Sequence, residues 1–186
     1  MIRITGGKLK QKKLASINNF VRPTSSLKRE AFFSIIESYA IKNSIELYKN
    51  KIFLDLFAGI GTMGLEAISR GMSEVIFFEN NIEVLKILKK NCFSICKNNQ
   101  FKIYKEDLIH SKLEIEFKNI SVVYIDPPYG KYNLTKLLEK LSGNIKNATL
   151  IGLETSVKDN IVIPENLNLL QKKTYGKTII YIFKLS

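Results

Sequence analysis

The 186-residue chain has no tryptophan, one histidine, two cysteines and only 17 acidic side chains against 29 Lys and Arg. The lone His110, in "DLIHSKLE", leaves histidine-dependent nucleophile activation and multi-histidine metal centres without their parts. Cys92 and Cys96 stand four apart on a helical pattern with no further cysteine to complete a site, so reduced thiols and no metal are expected. No apolar run reaches the length of a membrane span, and the opening "MIRITGGKLKQKKL" lacks the apolar core and cleavage site of a secretory signal. A cytoplasmic protein is therefore expected. The shortage of acid leaves a formal net charge of +12, which fits either a solvated basic surface or a polyanionic partner, nucleic acid or an anionic membrane surface.

With 45% hydrophobic residues, the chain suits one domain with a full core (1–186) and has no room for a large second one. Residues 1–22 read as a basic ribbon about a Gly6-Gly7 turn, with Arg3, Lys8, Lys10, Lys12 and Lys13 and no acid in the first fourteen residues. A helix over 23–40 follows in "VRPTSSLKREAFFSIIESYA". Pro23 with Thr24 or Ser25 supplies its start, and Leu27, Ala31, Phe32, Ile35 and Tyr39 recur on one face, leaving Lys28 and Arg29 on the exposed side. From 51 to 186 strands alternate with helices. The strands are "KIFLDLF", "SEVIFFE", "FKIYKE", "SVVYID" and "TLIGLE", and the helices lie near 62–70, 81–97, 108–116 and 132–142. Continuous apolar strands of this kind belong to a doubly wound, mostly parallel α/β sheet covered on both faces. The tail changes character, since the β-rich runs around "TYGKT" read as an antiparallel hairpin turning at Gly176.

In such a sheet the ligand crevice lies beyond the carboxyl ends of the strands. The stretch "FLDLFAGIGTMGLEA" places Gly59, Gly61 and Gly64 there with the spacing of a dinucleotide fingerprint, a weak signal by itself. Asp55 just ahead of the loop decides the sign, because a fixed carboxylate repels a pyrophosphate and attracts a cation. S-adenosylmethionine is a cationic ligand without phosphate. Glu79, ending the second strand, suits the ribose hydroxyls of any adenosine, and Asp107, ending the third, suits an adenine amino group or a helix cap.

The fourth strand runs into Asp126-Pro127-Pro128-Tyr129. An exocyclic amino group is a poor nucleophile that must be aligned with the donor methyl and must lose hydrogen to acceptors. The Asp126 carboxylate and Pro127 carbonyl can each accept one N–H, the two prolines fix the backbone direction, and Tyr129 offers a flat face to a base. A proline-rich strand-ending turn is the plain alternative, which the glycine loop and acidic strand ends upstream disfavour.

Together "IRITGGKLKQKKL", "RPTSSLKREAFF", "DLFAGIGTMGLEAISRG", "DPPY" and "YGKTIIYIFK" resemble, in order and spacing, the RsmD family of 16S ribosomal RNA guanine-N(2) methyltransferases. The resemblance implies a class I S-adenosylmethionine-dependent methyltransferase fold, Rossmann-like, with a seven-stranded sheet and a C-terminal antiparallel hairpin. It also implies methylation of the 2-amino group of one guanine, conventionally numbered 966, in 16S rRNA of the small subunit or its assembly intermediate, by a monomer with no membrane partner. Carried over by position, Asp55, Phe57, Ala58, Gly59 and Gly61 line the methionine end of the donor, Glu79 and Asn80 its ribose, Asp107 and Leu108 its adenine, with Thr24 on a further wall. Asp126 to Tyr129 hold the flipped guanine, and Arg3, Lys8, Lys10, Lys12, Lys13 and Arg22 grip RNA. Amide-methylating relatives carry Asn where this chain has Asp126. One departure is that Ser26 and Leu27 occupy positions where the family places an acidic and then a basic residue. Three alternatives remain: a DNA or other RNA amino-methyltransferase acting on adenine-N(6) or cytosine-N(4), a nonenzymatic RNA-binding assembly factor, and a nicotinamide oxidoreductase.

Overall fold

The computed structural model describes residues 2–16, 25–106, 117–145 and 149–185. Its centre is a run of short apolar strands, β3 (Ile52–Asp55), β4 (Glu74–Phe78), β5 (Phe101–Tyr104), β6 (Ile120–Ile125) and β7 (Leu150–Ser156). All five pair in parallel, and β8 (Leu167–Tyr175) and β9 (Thr178–Leu185) add an antiparallel hairpin alongside β7. The order across the seven-stranded sheet is β5-β4-β3-β6-β7-β9-β8. Sequence order reverses between β3 and β6, and this switch point opens a crevice at their carboxyl ends. The strand residues are buried on both sides because helices cover both faces.

One face carries α1 (Ser26–Lys42), α2 (Thr62–Arg70) and α3 (Ile82–Ile95); the other carries α4 (Leu134–Ser142). Gly71, in the left-handed region at φ 119°, ends α2 as a C-cap, and Asn81 opens α3 by accepting the N–H groups of Glu83 and Val84. The expected helix over 108–116 lies outside the described residues. The hairpin of the tail is present and turns at Gly176 (φ 59°).

Ser25 caps α1. Of the face expected from Leu27, Ala31, Phe32, Ile35 and Tyr39, Phe32 is fully buried and Ile35 and Tyr39 are half-buried against the core, but the residues turned fully inward are Arg29, Phe32, Phe33, Ile36 and Ala40, and Leu27 is 64% exposed. Aromatic packing sets the rotation. Phe32 meets Tyr124 of β6 edge-on at 4.9 Å and Phe33 stacks on Phe53 of β3 at 6.0 Å. Gly152 of β7 makes room, since a Cβ there would come within 2.2 Å of the Phe32 ring. Arg29, expected on the exposed face, is buried because partners await it. It donates to the Arg3 carbonyl at 2.7 Å and lies 3.9 Å from the Glu66 carboxylate.

The N-terminal ribbon consists of β1 (Ile2–Arg3) and β2 (Lys13–Leu14), an antiparallel pair. Glu66 of α2, fully buried, fastens its turn by accepting the N–H groups of Thr5 and Gly6 (2.8 and 2.7 Å), the Thr5 hydroxyl, and the Arg70 guanidinium. A buried carboxylate is tolerable here only because so many donors meet it. Asn91 of α3 secures the exit of the ribbon, exchanging hydrogen bonds with both backbone groups of Ala15 while donating to the Ile60 carbonyl in the glycine loop.

Candidate active site

Strand β3 delivers Asp55 to the switch point, and the chain then turns through the glycine loop into α2. The Leu56 N–H donates to the Tyr124 carbonyl of β6, and the Ala58 N–H to the Phe78 carbonyl of β4, so the loop is stitched to both neighbouring strands. Gly61 occupies the N-cap of α2 at φ 88°, a left-handed conformation costly for side chains, and a Cβ there would meet Leu88 at 2.6 Å. With no capping side chain at Gly61, Asp55 takes that part: its Oδ2 accepts the Gly64 N–H at 3.2 Å. Glu79, just past β4, accepts the Gly59 N–H at 2.9 Å through one oxygen and the Asn81 N–H at 2.8 Å through the other.

Burial pushes the Asp55 carboxyl up to about 8; the Gly64 N–H opposes this, and the negative charges of Asp126 and Glu79 add to it. Burial likewise raises Glu79 against the pull of the Asn81 and Gly59 N–H groups. Three carboxyl groups thus converge on one crevice, an arrangement that disfavours a pyrophosphate and fits a ligand bearing a sulfonium and an ammonium group. Each carboxylate oxygen of Glu79 retains a lone pair for a ribose hydroxyl beyond the backbone bond it accepts.

Strand β6 ends at Ile125 and passes straight into Asp126-Pro127-Pro128-Tyr129 beside that crevice. Pro127 is buried, Tyr129 is 44% exposed, and Gly130 (φ 71°) and a Lys131 N–H to Pro128 carbonyl bond turn the chain back. The Tyr129 hydroxyl lies 2.9 Å from the Thr178 hydroxyl of β9 and 3.5 Å from Glu154 of β7. Glu154, 1% exposed, also accepts the Tyr124 hydroxyl at 3.0 Å and is paired with Lys28 of α1. Burial raises the Tyr129 phenol, which stays neutral at ordinary pH, and the hydroxyl contacts hold the half-exposed ring by that end. Phe57 of the glycine loop meets Tyr132 edge-on at 4.9 Å and joins the two halves of the site.

The structure therefore brings Asp55, Phe57, Ala58, Gly59, Gly61, Glu79 and Asp126 to Tyr129 around one crevice, with Asn80 exposed at its rim. Arg22, Thr24, Asp107 and Leu108 lie outside the described residues. The ribbon lysines sit differently. The Lys8 backbone docks on the Ser69 carbonyl and the Lys12 ammonium on the Ser94 carbonyl at 2.5 Å, both in the last turns of helices that start at the crevice. Lys8 and Lys12 thus stand at the end of α2 and α3 remote from the glycine loop, while Arg3, Lys10 and Lys13 are exposed along the ribbon. Tyr132, Glu154 and Thr178 were not anticipated, and Lys28, expected on the exposed side of its helix, is instead turned in to pair with Glu154, its side chain 13% exposed. A lone acid closing the apolar run "TLIGLE" was the available signal for Glu154; the others depend on long-range packing. Among the described residues no group of three or more His, Cys, Asp and Glu could hold a metal ion.

Residues 2–184 match the family described as Conserved hypothetical protein 95. Ribosomal RNA small subunit methyltransferase D of Buchnera aphidicola is 31% identical over 98% of this chain and 92% of its own length. The protein of the same description from Haemophilus influenzae is 32% identical over 94% and 89%. The chain belongs to the RsmD family. Among solved structures, one described as a methylase of H. influenzae aligns with this RsmD-family chain at a TM-score of 0.75 and 27% identity over 99% of it and 98% of that chain. A methyltransferase of Escherichia coli aligns at 0.81 and 23% over 100% and 98%. An RNA methyltransferase of Salinibacter ruber, crystallised with S-adenosyl-L-homocysteine, shares the fold at a TM-score of 0.64 and 14% identity over 88% and 94%. The RsmD-family chain has the class I methyltransferase fold.

Proposed function

We propose that this chain methylates the exocyclic 2-amino group of a guanine in small-subunit ribosomal RNA, in the cytoplasm, as a monomer whose site is complete within one chain. S-adenosylmethionine is the donor. The observation that carries the reading is the adjacency, on neighbouring strands β3 and β6, of an acid-lined glycine loop and Asp126-Pro127-Pro128-Tyr129. The relatives described as ribosomal RNA small subunit methyltransferase D support the substrate class and the basic charge agrees with it.

Bound in the crevice, S-adenosylmethionine supplies an electrophilic methyl on a positively charged sulfur. Asp55 and Glu79 offset that positive charge and orient the ligand from its two ends. A guanine turned out of its stack rests on the outward face of Tyr129, whose hydroxyl is tied to Thr178 and Glu154 so that the ring does not swing. The Asp126 carboxylate and the Pro127 carbonyl accept the two amino hydrogens, returning lone-pair density to nitrogen as it attacks. Pro127 and Pro128 bring no competing N–H to those acceptors. After transfer Asp126 accepts the proton that nitrogen sheds.

The experiment is transfer of labelled methyl from the donor to small-subunit RNA of a strain lacking this gene, followed by digestion to nucleosides. N(2)-methylguanosine at one mapped nucleotide is expected. Label in N(6)-methyladenosine or N(4)-methylcytidine would overturn the guanine assignment, and absence of transfer with intact RNA binding would favour an assembly factor.

A further inference from the structure

We infer that the turn joining β8 and β9, with Lys173 and Lys177, forms together with Lys158 a docking surface for RNA phosphates beside the target nucleotide; this rests on the RNA methyltransferase reading above. The topology comes first. Because β9 runs antiparallel to β7, with Thr178 paired to Ser156 and Ile180 to Glu154, the turn between Tyr175 and Thr178 stands at the carboxyl edge of the sheet. That is the edge at which Asp126 leaves β6. The Tyr129–Thr178 hydroxyl contact at 2.9 Å joins the turn directly to the tetrapeptide, and the Val157 N–H donates to the Lys177 carbonyl at 3.0 Å, bringing the loop of Lys158 to the same place.

The register fixes the distance. Ile125 pairs with Leu153, so Asp126 is level with Glu154, Glu154 with Ile180, and Ile180 with Lys173. Three interstrand steps of ~4.8 Å put Lys173 about 14 Å from Asp126, a separation suited to the sugar-phosphate backbone flanking a flipped nucleotide. On the edge strand Lys173 shares the α1 side with Ile180, whereas Lys172 points to the other side and lies over the Tyr181 ring at 5.4 Å.

The exposed charge of this turn and of the Lys158 loop beside it is basic. Lys131, Lys158, Lys173 and Lys177 are exposed, and the acid of these segments, Asp159, is turned inward, accepting the Thr155 hydroxyl at 2.5 Å and the Ser156 N–H at 2.9 Å. Exposed Tyr129 and half-buried Tyr175 interleave with the lysines, the combination that grips single-stranded segments by stacking and charge. Lys8 and Lys12 of the N-terminal ribbon stand away from these nucleotides, the first anchored by its backbone at the far end of α2 and the second by its ammonium at the far end of α3. Lysines on an edge strand also deter edge-to-edge pairing, and that role alone would be indifferent to RNA.

The test compares K158Q/K173Q/K177Q with K49Q/K97Q/K118Q, whose lysines are exposed in loops at the opposite, amino edge of the sheet. Binding of a small-subunit RNA fragment is measured by anisotropy over a salt series, alongside the KM for RNA and the melting temperature. With ~0.7 released counterion per contact on single-stranded RNA, the first variant should flatten the slope of log K against log salt by about 2 and raise the KM for RNA about tenfold. The second should match the parent protein. Equal changes in both variants, or none in the first, would overturn the docking surface while leaving the methyltransferase reading intact. That reading is judged separately, by methyl transfer from the unmodified protein.

Discussion

Replacing Asp55 by Asn should stabilise the ligand-free protein at high pH while weakening donor binding, two effects of opposite sign from one atom exchange. The Asp55 carboxyl is fully buried and pushed from an ordinary 3.8 to about 8. Between those values the folded state holds a proton that the unfolded chain has released, so the contribution of Asp55 to stability falls as pH rises through the window and levels off above pH ~8. At ~1.4 kcal/mol per tenfold in proton affinity the whole excursion has a ceiling of roughly 6 kcal/mol. The Asn variant can still accept the Gly64 N–H through its amide oxygen but carries no charge. Urea unfolding of donor-free protein from pH 5 to 9 should therefore show the parent losing stability relative to D55N, by up to ~1.4 kcal/mol per pH unit. Calorimetry at pH 8 should show donor binding weakened by about 10- to 100-fold, the value of a charge-assisted contact worth ~1.5–3 kcal/mol. Parallel stability profiles, or unchanged donor affinity, would refute the reasoning that Asp55 is a buried carboxyl group whose ionised form awaits a cation.

Four further substitutions probe the scaffold of the site. Gly64→Ala would place a Cβ 2.3 Å from the Phe77 ring and 2.5 Å from Val75, so overpacking of α2 on β4 should cost about 1–3 kcal/mol in urea unfolding. Asn91→Ala deletes three hydrogen bonds that join Ala15 to the Ile60 carbonyl; a loss of about 1–3 kcal/mol and faster amide exchange at Ala15 are expected. Glu154→Gln keeps an acceptor for the tyrosine hydroxyls but removes the charge that Lys28 meets, so kcat should fall several-fold with donor affinity retained, and Lys28→Met should show the same pattern in steady-state assays.

Those effects also mark the boundary of what could be read from sequence. The alternation from Lys51 onward, the acid at each strand end and the glycine spacing are local signals, and the sheet, its crevice and the Asp55–Glu79–Asp126 cluster followed from them. Helix α1 was harder. Leu27, Ala31, Phe32, Ile35 and Tyr39 make an acceptable apolar stripe, yet Phe32 also belongs to a second one with Phe33, Ile36 and Ala40, turned slightly from the first, and only the rings of Phe53 and Tyr124 choose between them. The burial of Arg29 needs Glu66 and the Arg3 carbonyl, contacts invisible to periodicity. The Lys28–Glu154 pair joins residues 126 positions apart. It also supplies a cation from the stretch in which Leu27 stands where the family places a basic residue, and Leu27 itself is exposed.

The central claim is that donor binding and base handling are divided between two strand ends, Asp55 of β3 and Asp126 after β6. It is tested most directly by Asp126→Ala, measured twice on one preparation: calorimetric affinity for S-adenosylmethionine and single-turnover methyl transfer to small-subunit RNA. The division predicts donor affinity within about threefold of the parent, less than ~1 kcal/mol, with transfer reduced by at least the ~10²-fold expected for removing a positioned acceptor. Transfer at the parental rate, or a loss of donor affinity as large as the loss of transfer, would contradict it.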